Sequence, residues 1–142
     1  MVKVSYKSEV NRGKYMNSNG TNLDNKTNIN VLKQEVKKFC ELRDWDQFHN
    51  PKDLAIALIT ESSELLELFR FKTNPECEEM LRDEKKRQNI ADELADTLYF
   101  LLRFAQKYDI DLTSEFIRKM KLNEEKYPVE KFRGSNKKYS EV

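Results

Sequence analysis

Four acidic residues, paired at a spacing of three, are the part of this chain best suited to chemistry. Glu61 and Glu64 lie in AIALITESSELLELF, and Glu93 and Asp96 lie in IADELADTLYFLL. Residues three apart on a helix share a face. Leu54, Leu58, Leu65 and Leu68 form an apolar stripe at helical spacing with Glu61 inside it. Ile90, Leu94, Thr97 and Leu101 form a second stripe, with Glu93 on its edge beside Asp96. An ionised carboxylate facing a core is costly unless it is paired or holds a metal. Two such helices packed together would converge four carboxylates, an oxygen cage suited to Mg2+, with Mn2+ as the alternative. The plainer reading is that, in a chain 36% charged, these glutamates face water. Pattern alone leaves both readings open.

The elements that must carry these residues are predicted to be helices. The first runs from about Asn30 to Leu42, with Val31, Glu35, Phe39 and Leu42 approximating one face and Leu32 and Val36 beside it. RDWDQFH is an aromatic-rich connection. NPKD then starts the second helix: Asn50 is the expected N-cap, Pro51 takes the first turn where no donor is lost, and Asp53 can return a capping bond. That helix extends to about Phe71. Pro75 restricts Asn74 and marks a break, after which residues 76–82 can form a short helical stretch. The third helix covers about Asp83 to Tyr108. Asp111 is the expected N-cap of the fourth, which presents Leu112, Phe116, Met120 and Asn123 along one side and ends at Tyr127-Pro128.

Short connections between helices of this length predict an all-α antiparallel four-helix bundle. The second helix carries Ile56, Ile59 and Leu66, and the third Leu98, Phe100, Leu102 and Phe104, beyond what one core needs. That surplus predicts an oligomer in which helices two and three pack against a second subunit. Residues 1–28 are too polar to offset their ordering entropy and read as a flexible arm. The organisation is therefore an arm over 1–28, a helical domain over 29–128 and an irregular, locally basic tail over 129–142.

Composition narrows the chemistry. The 26 lysines and arginines nearly balance the 25 aspartates and glutamates, so there is no general attraction to nucleic-acid polymers or acidic membranes. No apolar run is long enough to span a bilayer, and the N-terminus lacks the apolar region of a secretory signal. Cys40 and Cys77 do not make a disulfide framework; free thiols and a reducing, cytoplasmic setting are expected. With His49 the only histidine, a zinc site is disfavoured. The Glu-x-x-His motif of di-iron bundles is missing from both acidic helices. No Ser-His-Asp or Cys-His arrangement, P-loop or Gly-rich dinucleotide fingerprint is visible.

Trp45 and Phe48 precede the second helix and Phe71 closes it. Such aromatics commonly pack helix ends, but they could also sandwich a base. His49 could donate to a ligand or simply contact backbone. Lys131, Arg133, Lys137 and Lys138, around Gly134-Ser135, could close over an anionic group, although basic tails are usually solvated. Carboxylates, aromatics and basic residues together suit a nucleoside triphosphate.

RDWDQFH, NPKDLAIAL, ESSELLELFRF, ADELADTLYFLL and KMKLNEEKYPVEKFRGSNKKY resemble segments of the MazG-like all-α nucleoside triphosphate pyrophosphohydrolases, in particular the dCTP pyrophosphatase branch. The resemblance covers about residues 31–140. It implies that Glu61, Glu64, Glu93 and Asp96 are Mg2+ ligands, with Glu61 or Glu64 positioning or deprotonating the attacking water. It implies that Trp45 and Phe71 embrace the base and that Phe100 lies against the nucleotide. Asn123, Arg133 and Lys138 would approach sugar or phosphates. It also implies a homotetramer built from dimers.

The chain departs from that pattern at three positions. Phe71 stands where the dCTP-type relatives carry Trp, Phe100 where Tyr is common, and Val36 where some relatives place a His that contacts the nucleotide. These changes bear on base choice and leave the metal chemistry untouched. Thr60 stands where longer MazG proteins carry an additional acidic residue, which favours the compact single-domain branch. The expected function is conversion of a dNTP, dCTP or a modified dCTP, to the monophosphate and pyrophosphate, in nucleotide-pool sanitation. The competing readings are a non-catalytic helical interaction module, with the acidic residues paired to Lys or Arg, and a related enzyme acting on dUTP or another phosphoanhydride.

Overall fold

Capping residues set the helix boundaries. The structure, a computed structural model, describes residues 23–141. The first 22 residues, most of the expected arm, lie outside the described residues; within the remainder of that segment Leu23–Asn25 makes a 3-10 turn. Asn28 accepts the Val31 amide at 3.0 Å and starts α1, Ile29–Glu41. Asn50 accepts the Asp53 amide at 2.9 Å and starts α2, Pro51–Leu68, with Pro51 in the first turn. The return bond expected from Asp53 goes to the Asn50 side-chain amide. Thr73 and Glu76 form a capping box at the start of α3, Asn74–Met80.

Asp83 accepts the Lys86 amide at the start of α4, Glu84–Lys107. Asp111 accepts the Thr113 and Ser114 amides and starts α5, Leu112–Lys126. Two boundaries differ from expectation. The second long helix ends at Leu68 rather than near Phe71, because Phe69 caps it and Phe71 adopts φ 59°, a left-handed conformation that cannot continue a helix. The tail is not wholly irregular: Val129–Phe132 forms a single turn, α6, and Tyr139–Glu141 a 3-10 turn. The Tyr127 ring meets Phe132 and Tyr139 edge-on, with centroids 5.0 and 5.9 Å apart, tying this segment to the end of α5.

The architecture is all-α, with no strand among the described residues. α4 is the central element, packed along α2 and α1. Cross-contacts give the directions. His49, at the entrance to α2, meets Arg103, whereas Glu61 and Glu64 meet Glu93; α2 and α4 are therefore antiparallel. Cys40 meets Tyr99 and Lys33 meets the Ile110 carbonyl, so α1 is antiparallel to α4 as well. The face of α1 that is buried is Leu32, Val36 and Cys40 rather than Val31, Phe39 and Leu42. Cys40, fully buried, and Val36 pack with Leu102, flanked by Leu32, Tyr99 and Leu112. Val36 is thus a core residue of the chain. Apolar Ile56, Ile59 and Leu66 on α2 and Leu94, Leu98 and Leu101 on α4 remain exposed, as do Phe116, Ile117 and Met120 on α5.

Candidate metal centre

Glu61 and Glu64 come from the middle of α2, and Glu93 comes from the facing stretch of α4. One carboxylate oxygen from each lies within 4.8 Å of the others. The intervening polar residues do not compete for this space. Thr60, Ser62 and Ser63 each donate a hydroxyl to the carbonyl four residues earlier, on Ile56, Leu58 and Ile59, a common way for helical hydroxyls to be satisfied. Asp96 does not join the three oxygens within that radius, but its charge acts on the group. Burial, then the charges of Glu64, Asp96 and Glu93, raise the Glu61 carboxyl above its ordinary value. Burial, then Glu64, Asp96 and Asp92, do the same to Glu93.

Among the described residues no lysine or arginine forms an ion pair with Glu61, Glu64, Glu93 or Asp96. A cluster of like charges without a cationic side chain is unfavourable by itself and becomes favourable with a bound cation. Three hard oxygen donors from two facing helices fit a divalent cation such as Mg2+ or Mn2+ better than a soft one. Thr97, one turn beyond Glu93, has its hydroxyl oxygen buried without a hydrogen-bond partner among the described residues.

The expected base-contacting aromatics are only partly gathered. Trp45 follows Asp44, whose φ of 52° closes the end of α1, so that the Trp45 amide reaches back to the Cys40 carbonyl at 3.1 Å. Its ring, 41% exposed, stands edge-on to Phe39 at 5.7 Å. Phe39 meets Tyr99 at 5.8 Å, and Tyr99 meets Phe100 at 4.9 Å. Trp45 and Phe100 are therefore the two ends of one aromatic row. Its middle members are Phe39, expected only on the apolar face of the first helix, and Tyr99, to which sequence gives no role; the i,i+6 spacing of Phe39 and Trp45 across a helix end carries no periodic signal. The Arg43 guanidinium lies 3.5 Å from the Phe39 ring centroid. Tyr99 also contacts the Cys40 sulfur at 3.1 Å, and burial with that thiol pushes its hydroxyl well above the ordinary range.

Phe71 stands apart from the row, 92% exposed, with Arg70 over its ring at 5.1 Å. Asn123 is half-buried on α5, and Arg133 and Lys138 are exposed in the tail. His49, raised from sequence as a donor or a backbone contact, accepts a bond from Arg103 at ring nitrogen Nδ1, 2.9 Å away. Burial, then the Arg103 and Lys107 charges, lower its pKa.

An all-α chain that converges carboxylates from two antiparallel helices is one of a recognisable class, and comparison with known proteins specifies it. Residues 56–142 match the MazG-like family, and the chain belongs to that family. It is similar to dCTP pyrophosphatase 1 of Rattus norvegicus, 39% identical over 105 residues, which is 74% of this chain and 62% of that protein. It is 37% identical to dCTP pyrophosphatase 1 of Homo sapiens over the same length and shares. The chain thus spans less than two thirds of the length of these curated relatives. Its structure resembles that of a pyrophosphatase from Archaeoglobus fulgidus, with a TM-score of 0.66 and 34% identity over 70% of this chain and 92% of the other. Among the described residues no helix is long and apolar enough to cross a membrane.

Proposed function

We propose that the protein is a Mg2+-dependent nucleoside triphosphate pyrophosphohydrolase that converts dCTP or a modified dCTP to the monophosphate and pyrophosphate, cleansing the nucleotide pool of the cytoplasm. The observation that carries this reading is the approach of Glu61, Glu64 and Glu93 oxygens within 4.8 Å. The similarity to dCTP pyrophosphatase 1 supplies the substrate class.

In this reading Glu61, Glu64, Glu93 and Asp96 would hold the cation, which would supply charge screening for the phosphates and the transition state. The Glu61 or Glu64 carboxylate would position the attacking water or accept its proton. The water oxygen bonds to the α-phosphorus, the bond from that phosphorus to the α–β bridging oxygen breaks, and pyrophosphate leaves with that oxygen. Trp45, Phe71 and Phe100 hold the base, while Asn123, Arg133 and Lys138 meet sugar and phosphates. The working form is a homo-oligomer, a tetramer built from two dimers, that covers the exposed apolar sides of α2 and α4.

Pyrophosphate release from dCTP with Mg2+, run beside dUTP, dTTP, dATP and CTP, tests the proposal. The expected result is release of dCMP and pyrophosphate, fastest with dCTP and stopped by EDTA. Activity confined to dUTP or another phosphoanhydride would transfer the same site to that substrate. No release from any of them, with no rise in melting temperature on adding Mg2+, would leave the interaction-module reading.

A further inference from the structure

Arg103 is 1% exposed and takes no part in the chemistry above. It lies ten residues beyond Glu93 on α4, about 15 Å along the axis. A buried guanidinium is unfavourable unless its donors are used, and here each edge of the fork is taken. Nε donates to His49 Nδ1 at 2.9 Å, Nη1 to the Gln106 side-chain oxygen and Nη2 to an Asp46 carboxylate oxygen. Lys107 adds bonds to the Asp46 carbonyl and carboxylate at 2.6 and 3.0 Å. The Tyr108 hydroxyl reaches the His49 carbonyl at 3.4 Å.

Apart from the Gln106 bond within α4, these bonds fasten one short segment, the turn Asp46–Phe48 with His49, that directly follows Trp45. The Trp45 ring meets His49 edge-on at 6.5 Å and Phe39 edge-on at 5.7 Å. An arginine nitrogen can only donate, so His49 Nδ1 carries a lone pair and Nε2 the proton of the neutral ring.

We propose that Arg103 is a positioning residue for base recognition: by clamping Asp46 and His49 to α4, it fixes the orientation in which Trp45 presents its ring to the nucleotide. The inference rests on the nucleotide reading above. The Asp46 carboxylate and the Lys107 ammonium also face His49. Burial, then the Arg103 and Lys107 charges, favour the neutral ring, the Asp46 carboxylate opposes them, and the bond from Arg103 selects the tautomer.

The test uses the full chain with Arg103→Met, which fills a similar volume without donors, and Arg103→Lys, which keeps a donor but not the fork. Trp45 and His49 are the only residues of their types, so tryptophan emission and imidazole 15N resonances each report one site. Arg103→Met is expected to raise KM for dCTP about tenfold with kcat within about twofold, and Arg103→Lys to recover part of that loss. The 15N spectrum should change from a single Nε2–H tautomer to an exchanging pair. An unchanged KM with a lower melting temperature would make the cluster structural only and overturn the inference. So would a fall in kcat at constant KM.

Should Arg103→Met fail to fold, Asp46→Asn, at a largely exposed position, is expected to raise KM several-fold, and an unchanged KM there would overturn the inference equally. A wild-type chain that neither releases pyrophosphate nor changes Trp45 emission with dCTP would remove the nucleotide reading and this inference together. An active wild type beside an indifferent Arg103→Met would remove this inference alone.

Discussion

Glu61 and Phe71 illustrate two ways in which single residues are held in unfavourable circumstances. Glu61 sits half-buried among like charges, with no ion pair to a cationic side chain among the described residues. Glu61→Ala is expected to abolish pyrophosphate release, by at least about a hundredfold if it contributes as a base, while the helical circular dichroism is retained. Full activity in that variant would sink the mechanism. Phe71 holds a left-handed backbone with its ring almost wholly exposed. For a bulky residue that conformation costs about 1–2 kcal/mol, with little packing of the ring to offset it. Phe71→Asn, which tolerates the same backbone, is expected to raise stability by about 1 kcal/mol. It is also expected to raise KM for dCTP about tenfold through lost stacking. Denaturant titration and steady-state kinetics on one preparation read both, and a variant that gains stability at unchanged KM would remove Phe71 from the binding site.

At the scale of elements, the α2–α4 pair couples stability to protons and to cations. Glu61 and Glu93 have raised carboxyl pKa values through burial and then through neighbouring charge. In the metal-free fold they hold protons at pH values where the unfolded chain has lost them. Their contribution to stability is therefore present at or below the ordinary glutamate value and is lost as pH rises through the raised values. The metal-free Glu61→Gln variant should melt above metal-free wild type at pH 7, with the gap closing toward pH 5. Millimolar Mg2+ should raise the wild-type melting temperature at pH 7 and do so much less in the variant. A gap that is flat with pH would mean that the carboxylates do not feel one another. The short connection between α1 and α2 belongs to this scale too. The left-handed Asp44 returns the Trp45 amide to α1 while Arg103 and Lys107 draw the next residues onto α4, so one turn is set by two helices.

For the whole molecule, the exposed apolar residues decide the expectation. Ile59 and Leu66 on α2 are each about 70% exposed, with Leu94, Leu98 and Leu101 exposed on α4 and Phe116 and Ile117 on α5. Exposed apolar residues on three helices are the reason to expect an interaction face. In solution the chain should scatter as a multiple of its 17.0 kDa mass. Ile59→Asp with Leu66→Glu should lower that mass while leaving the helical signal, because neither side chain is packed within the chain. A wild type that scatters as a single chain at micromolar concentration would remove the tetramer.

Sequence by itself determined the long helices and where they start. Asn50 and Asp111 are short polar side chains that accept the free amides of a helix start, and that bond is local, so it can be read without knowing the fold. The i,i+3 carboxylates are likewise a property of one helix at a time, which is why Glu61, Glu64 and Glu93 were legible as candidates. Tertiary structure decided which faces turn inward. The buried side of α1 runs through Leu32, Val36 and Cys40 because α4 approaches there, and nothing in a helix's own period selects between two comparably apolar stripes. Arg103 escaped sequence reading altogether: arginine is ordinarily a surface residue. Its burial depends on Asp46, His49 and Gln106 arriving together, two of them from more than fifty positions away in the chain. The same holds for the aromatic row, in which Trp45 and Phe100 are joined through Phe39 and Tyr99 only once α1 lies antiparallel to α4.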